Sequence, residues 1–148
     1  MTAATTTHLN FTGNARAALE FYAAAFRGQA IIRTYGDFGM PAEASGSDLV
    51  VWGLAAAENG FQVMAYDILG APARPAPSTR RENGVTITDQ PFFVSVRGDS
   101  LEEVQGYWDG LADGATVIEP LAASAWSAGF GMLADRFGVT WVLDVAEG

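Results

Sequence analysis

The chain has 148 residues, of which 49% are hydrophobic and 17% charged, and its formal net charge is −9. This length and apolar content support a real core and exclude a disordered protein, and no apolar run approaches the roughly 20 residues of a membrane span. The acidic balance disfavours nucleic-acid binding, and the absence of cysteine excludes disulfides, thiolate metal sites and a cysteine nucleophile.

The N-terminus reads "MTAATTTHLNF" and contains neither the basic start nor the apolar stretch of a secretory signal. We therefore expect a soluble, cytoplasmic protein whose partners include neither nucleic acid nor a membrane.

A strand, a polar turn and an amphipathic helix open the chain. Residues 15–26 place their apolar side chains at i, i+3, i+4 and i+7, which predicts one buried stripe along a helix. Asn14 is the predicted N-cap, and Gly28 is the predicted stop.

Three strands are predicted after this helix, over residues 30–36, 49–56 and 61–67, with a Gly-rich loop between the first two. Asn59-Gly60 joins the last two strands and is a strong hairpin signal.

Residues 70–90 follow these strands. This part of the chain is rich in proline, because four of the six prolines lie between positions 72 and 91. This composition predicts an extended connector over the surface.

The second half follows the same order. Ser100 and Glu103 form a capping box at the start of a helix, and the predicted buried face of that helix consists of Leu101, Val104, Trp108 and Leu111. Strands are predicted over residues 116–122, 129–134 and 139–145. Both halves therefore have the pattern βαβββ, which predicts an α+β fold in a single domain made of a module at about 5–69, the connector, and a repeat at 91–146.

Three stretches carry a resemblance to a known family: "HLNFTGNARAALEFYAAAF" at 8–26, "GDSLEEV" at 98–104 and "W-x-x-G-x-G-x-x-x-D-x-F-G-V-x-W" at 126–141. The chain resembles the PhnB-like branch of the vicinal oxygen chelate superfamily, which includes glyoxalase I, extradiol dioxygenases and bleomycin-resistance proteins. The resemblance implies a cupped, barrel-like mixed sheet with the helices outside, a ligand in the concave interior, and a homodimer.

Some PhnB-like members carry the name 3-demethylubiquinone 3-methyltransferase. The tight glycine pair Gly129 and Gly131 is predicted to lie inside a strand, however, and a strand-to-helix turn is what would hold S-adenosylmethionine. The residues do not support a methyltransferase.

Strand alternation predicts which side chains face the cup. Leu9 and Phe11 face the helix, which leaves His8 and Asn10 on the other side. The full set of predicted ligand-binding residues combines apolar walls with a few polar groups, as small-molecule sites do: His8, Asn10, Tyr35, Trp52, Gln62, Met64, Tyr66, Phe93, Ser95, Trp126, Phe130 and Arg136. Each aromatic member of this set also has the simpler interpretation of a core residue.

The metal site that the superfamily implies lacks most of its ligands in this sequence. His8 matches the first ligand position. Because His8 is the only histidine in the chain, the second histidine position cannot be filled, and the symmetric residue is Phe93. The carboxylate position of the last strand is occupied by Val142. We predict no metal and no other cofactor. The alternative is a divalent metal at a rearranged site formed by His8, Asp67 and Asp144.

Two functions follow from these expectations. The first is a small-molecule-binding protein of the glyoxalase/bleomycin-resistance type without a working metal site. The second is a metal-dependent lyase, isomerase or dioxygenase-like enzyme with a rearranged site around His8, or one in which His8 is a general base; whether the protein is an enzyme stays open. A regulatory or structural dimer is a third possibility.

Overall fold

A computed structural model describes residues 2–76 and 78–147 of the chain. The chain divides into two compact units, Met1–Arg74 and Pro75–Gly148. In the described residues, each unit contains one α-helix and one four-stranded sheet, and the second also contains a two-stranded hairpin. The predicted α+β fold with two βαβββ modules is confirmed, and the strands form separate sheets that do not close into a barrel.

The first unit contains one helix, four strands and a short 3-10 turn. In chain order they are β1 (Thr7–Phe11), α1 (Ala15–Ala25), β2 (Gln29–Thr34), the 3-10 turn Gly36–Phe38, β3 (Val50–Ala56) and β4 (Gln62–Asp67). The strand order is β1-β4-β3-β2. β1 runs parallel to β4, and the other two pairs are antiparallel, so the last strand of the module lies inside its sheet.

The apolar stripe of α1 forms the core of the first unit. Leu19, Tyr22 and Phe26 are completely buried. Gly53 on β3 lies directly under the helix, where a Cβ atom would collide with the side chain of Leu19. A glycine is therefore required for the close approach of helix and sheet.

A carboxylate from β4 caps α1. Asn14 occupies the predicted N-cap position, but its side chain makes no capping hydrogen bond. Asp67 instead accepts from the backbone N–H groups of Gly13 at 2.8 Å and Ala15 at 3.0 Å with one oxygen, and from that of Val50 at 3.0 Å with the other. Asp67 is 1% exposed, so a single buried side chain links the helix start to two strands.

The second unit repeats the architecture and adds a hairpin. Its elements are β5 (Thr79–Glu82), β6 (Val85–Thr88), β7 (Val94–Gly98), α2 (Leu101–Ala112), β8 (Thr116–Ser124), β9 (Ser127–Ala134) and β10 (Thr140–Val145). The strand order of the large sheet is β7-β10-β9-β8, with β7 parallel to β10. The first and last strands of each module therefore pair in the same way.

The helix α2 packs much as predicted. Ser100 accepts a hydrogen bond from the backbone N–H of Glu103 at 3.2 Å, and the Glu103 carboxylate accepts from Asp99 N–H at 2.8 Å, which confirms the cap. The buried stripe contains Tyr107 rather than Leu101. Leu101 is the first residue of the helix and is 37% exposed, because it lies at the rim of the packed surface.

The glycine pair of β9 provides room for this helix. Added Cβ atoms would lie 2.8 Å from the Trp108 ring at Gly131 and 3.0 Å from Leu101 at Gly129. Both glycines lie inside a strand, as predicted, and they make room for the packing of α2.

The turn before β10 is built around a second buried carboxylate. Asp135 accepts from the backbone N–H groups of Phe137 and Val139 with one oxygen and from the Trp141 indole nitrogen with the other, at 2.8–3.1 Å. Trp141 is completely buried, and Gly138 has a φ of +87°. The Asp135 carboxylate therefore holds the turn in place, and Trp141 is a core residue.

The connector over residues 70–90 differs from the prediction. Residues 79–88 form the antiparallel hairpin of β5 and β6, with Arg80 opposite Ile87 and Arg81 opposite Thr86. Asn83 and Gly84 form the turn with φ values of +52° and +78°. Asn-Gly favours this tight turn because both residues tolerate positive φ.

Neither α1 nor α2, the helices of the described residues, is long and apolar enough to cross a membrane.

Candidate functional site

The face of the first sheet opposite α1, termed the distal face here, carries most of the predicted ligand-binding residues of this unit. The helix-facing positions of β3 and β4 are small and buried, as at Ala55, Val63 and Ala65. Their neighbours along each strand therefore point to the distal face. The predicted residues that share this face are His8, Asn10, Trp52, Gln62, Met64 and Tyr66.

Strand register brings these residues into adjacent positions. His8 lies beside Met64 and Asn10 beside Tyr66 in the parallel pair of β1 and β4. Trp52 lies on β3, the strand on the other side of β4. The predicted alternation of β1 is thus observed, because Leu9 and Phe11 are buried whereas His8 and Asn10 are exposed.

His8, Asn10 and Tyr66 form a small cluster on the distal face. His8 Nδ1 lies 3.2 Å from Asn10 Oδ1, and the imidazole packs edge-on against the Tyr66 ring with a centroid distance of 5.4 Å. The Tyr66 hydroxyl has no hydrogen-bond partner within residues 2–76 and 78–147. At the far end of β4, Gln62 donates to the Thr6 hydroxyl at 2.6 Å. The cluster therefore presents a phenol available for a ligand beside an oriented imidazole.

Tyr35 lies beyond the end of β2, next to the 3-10 turn. Its hydroxyl donates to the backbone oxygen of Asp67 at 2.7 Å. Burial raises the pKa of Tyr35, and neighbouring Tyr66 and Asp67 raise it further. The hydroxyl therefore stays protonated and acts as a structural donor at the end of β4.

Two hydrogen bonds fix the turn that carries Tyr35. Asp37 accepts from Thr34 N–H at 2.8 Å, and Asp37 N–H donates to the Thr34 hydroxyl at 3.1 Å. The bond from the Thr34 backbone lowers the pKa of Asp37, with smaller contributions from the Thr34 hydroxyl and nearby arginines. Sequence reasoning missed this pair, although Thr and Asp three residues apart around a turn are a common signal.

In the second unit, Ser95 and Phe130 lie on the face of the sheet opposite α2. Ser95 is beside Val142, and Phe130 is beside Asp144. Asp144 forms a bidentate ion pair with Arg97, with a shortest N–O distance of 2.8 Å. Hydrogen bonding to Asp144, and then its charge, raise the pKa of Arg97.

The hairpin contacts this face of the second sheet. The Arg81 guanidinium carbon lies 5.1 Å from the centroid of the Phe130 ring, a cation–π geometry. Arg81 also donates to Thr86 at 2.9 Å and approaches Glu119 at 3.5 Å. Phe130 is therefore in contact with the chain's own arginine. Sequence reasoning missed Arg81 because residues 70–90 were expected to be an extended connector.

Three other predicted site residues of the second unit occupy different surroundings. Trp126 forms the turn between β8 and β9 and is 85% exposed, so it lines no wall within this unit. Arg136 pairs with Asp113, at 2.8 Å, and also donates to the Asp113 backbone oxygen, next to the end of α2 rather than on the opposite face. Phe93 lies immediately before β7 and is half-buried.

The residues present do not fit the metal site that the superfamily implies. Asp67 faces α1 and its carboxylate accepts three backbone hydrogen bonds, whereas His8 lies on the opposite face of the same sheet. Asp144 is held by Arg97. Among the described residues, no group of three or more His, Asp or Glu side chains is arranged to hold a metal ion. His8 and Asp67 are the two residues of the rearranged site that belong to the first unit, and they therefore cannot bind the same metal ion.

A family model described as 3-demethylubiquinone-9 3-methyltransferase matches residues 3–143. The chain belongs to this family. It is similar to protein PA1353 from Pseudomonas aeruginosa, with 26% identity, a TM-score of 0.77 and coverage of 99% of this chain and 100% of that one. It is also similar to a PhnB protein from Bacillus cereus, with 25% identity, a TM-score of 0.69 and coverage of 97% and 100%.

The wider fold is shared with a glyoxylase/bleomycin resistance protein/dioxygenase domain from Frankia sp. EAN1pec, at 10% identity, a TM-score of 0.62 and 99% coverage of both chains. The resemblance to the PhnB-like family is confirmed, and the shared fold is consistent with the vicinal oxygen chelate superfamily. The strand-to-helix turns of this PhnB-like chain do not fit S-adenosylmethionine. The first contains one glycine, Gly13, and at the second a Cβ on Gly98 would lie 2.6 Å from Val104, so neither turn is a Gly-rich cradle.

Proposed function

We propose that this protein binds a small, partly aromatic molecule on the distal face of its first sheet, as a glyoxalase/bleomycin-resistance-type binding protein without metal-dependent catalysis. One observation carries this proposal. The helix-facing side chains of β4 are fully buried, whereas Gln62, Met64 and Tyr66, which alternate with them, remain partly accessible.

The chemistry of this face suits such a ligand. The Trp52 indole, the Met64 thioether and the Tyr66 ring supply apolar and aromatic area, and His8 and Asn10 supply polar groups at one edge. Small-molecule sites combine these two properties. An aromatic side chain also contributes a large contact area at low entropic cost.

The proposal includes a homodimer and a cytoplasmic location. Both rest on the family resemblance and on the acidic composition of the sequence. Light scattering of the purified chain tests the first, and a mass of one chain at micromolar concentration would contradict it.

Ligand-detected NMR with a library of small aromatic compounds tests the binding function. We expect saturable hits whose binding shifts the backbone amides of His8, Asn10 and Tyr66. Trp52→Ala and Tyr66→Ala should each weaken binding about tenfold, the effect of losing one well-packed aromatic contact. Phe38→Ala is the matched control, since Phe38 is 71% exposed in the same unit.

Hits that survive both substitutions would place binding elsewhere and contradict the proposal. Turnover that requires added divalent metal and disappears in His8→Ala would instead establish the metalloenzyme function.

A further inference from the structure

Arg74 reaches the edge strand of the first sheet next to the distal cluster. Its Nη1 atom donates to the main-chain oxygen of Asn10 at 2.8 Å. The side chain of the same Asn10 contacts His8, and its neighbour across the strands is Tyr66. Arg74 and Tyr66 therefore flank Asn10, one at the outer edge of β1 and the other on the adjacent strand.

Both flanking residues have hydrogen-bond donors to spare. A guanidinium has five N–H donors, and the single bond to Asn10 uses one of them. The Tyr66 hydroxyl has no partner in the part of the chain that the structure describes. The polar groups on the two sides of Asn10 are thus donors, which is the arrangement that an acceptor-rich ligand group requires.

Arg74 also has no carboxylate partner in the described residues. The four ion pairs present there involve Arg80, Arg81, Arg97 and Arg136, all of the second unit. The nearest acid along the adjacent strand, Asp67, faces α1 and is occupied by three backbone N–H groups. In a chain of net charge −9, a cation beside the proposed binding face is left uncompensated.

We propose that the ligand of the distal face carries a carboxylate, which Arg74 and the Tyr66 hydroxyl bind above Asn10 while its ring packs towards Met64 and Trp52. This inference rests on the proposed function and adds the ligand class to it. One guanidinium and one phenol match a monoanion; a phosphate dianion would bring a second negative charge to an acidic protein with no second cation in the cluster.

The test compares 2-naphthoate with the isosteric neutral amide, 2-naphthamide, on the full chain by calorimetry and amide NMR. Wild-type protein should bind the carboxylate about tenfold more tightly, the typical effect of a hydrogen bond to a charged group. Arg74→Gln should abolish this preference, because it weakens binding of the charged carboxylate much more than binding of the neutral amide. Tyr66→Phe should reduce the preference several-fold.

Arg16→Gln is the control for the loss of one positive charge. Arg16 is an exposed residue of α1, on the other side of the sheet, and its guanidinium donates to the Asp48 backbone oxygen at 3.5 Å. The control should retain the full preference for the carboxylate.

The possible failures are distinct. Equal affinities for both probes in wild-type protein, or a preference that survives Arg74→Gln, would overturn the carboxylate assignment and leave the binding function standing. The absence of binding by either probe, with no shift of the His8, Asn10 or Tyr66 amides, would overturn both.

Discussion

The indole nitrogen of Trp141 donates to the Asp135 carboxylate at 2.8 Å, and both residues are buried. The same carboxylate accepts the backbone N–H groups of Phe137 and Val139. One side chain therefore closes the turn and fixes the largest residue of the strand that follows. Because buried donors are costly to leave unpaired, this pair links the shape of the turn to the core of the second unit.

Asp135→Asn should destabilise the protein by about 1–3 kcal/mol. The NH2 group of the asparagine side chain would face one of the three N–H groups that the carboxylate now accepts, and that N–H group would lose its acceptor. Urea unfolding measures the effect. Asp109→Asn, at an exposed position of α2, should change the free energy of unfolding by less than about 0.5 kcal/mol. A double-mutant cycle with Trp141→Phe should show non-additivity, and strictly additive effects would contradict the coupling of the pair.

Asp67→Asn should destabilise the first unit for a related reason. The substitution leaves at least one of the Gly13, Ala15 and Val50 N–H groups without its acceptor, at a cost of about 1–3 kcal/mol. Hydrogen exchange of those amides should accelerate with the global loss of stability. Asp48→Asn is the control, because Asp48 is exposed and lies close in sequence to the Val50 contact; an equal loss in both variants would refute the capping role.

Tyr35 should make the stability of the protein sensitive to alkaline pH. Its pKa in the folded state lies above the ordinary value of 10.0, so its contribution is complete below about pH 10 and is lost as the pH rises through the folded-state pKa. The chain contains no lysine, which leaves tyrosines as the side chains that titrate in this range. Unfolding of wild type and Tyr35→Phe across this range should show a smaller alkaline loss in the variant.

At neutral pH, Tyr35→Phe should cost about 1 kcal/mol through the lost bond to the Asp67 backbone oxygen. Tyr66→Phe should lower the pKa of Tyr35, because Tyr66 contributes to the upward shift. Difference absorbance of tyrosinate measures this pKa directly, and an unchanged titration would contradict the proximity of the two rings.

The positions of His8 and Asp67 predict that the protein does not bind one divalent metal ion per chain. Native mass spectrometry with Mn²⁺, Ni²⁺, Zn²⁺ and Fe²⁺ added in turn should show no bound ion per chain that His8→Ala removes. The physical reason is that Asp67 faces away from His8 and already accepts three hydrogen bonds. One tightly bound ion that is lost in His8→Ala would reverse this conclusion.

Periodic patterns were sufficient to predict most of the fold. The apolar stripes of both helices, the Ser100 cap and the Asn59-Gly60 turn are local signals, and the structure contains these features except that Tyr107 replaces Leu101 in the stripe of α2. The hairpin at 79–88 was missed although Asn83-Gly84 is the same dipeptide. Its strands are four residues long and rich in Thr and Arg, so they lack the apolar alternation that marks a strand.

The candidate site was predictable only where alternation decides it. His8 and Asn10 follow from the burial of Leu9 and Phe11, whereas the surroundings of Trp126 and Arg136 depend on a turn and on a partner 23 residues away. The roles of Asp67 and Asp135 likewise depend on which backbone groups the folded chain brings to each carboxylate. Sequence periodicity contains no information about such partners.

The position of β10 between β7 and β9 has a consequence for synthesis on the ribosome. Residues 94–134 supply β7, α2 and the β8–β9 pair, but β7 gains its sheet neighbour only when residues 140–145 have left the exit tunnel. The first unit completes its sheet at Asp67, while the second is still being translated. A translational pause before residue 140 would therefore leave one finished unit attached to a nascent segment whose sheet is split in two.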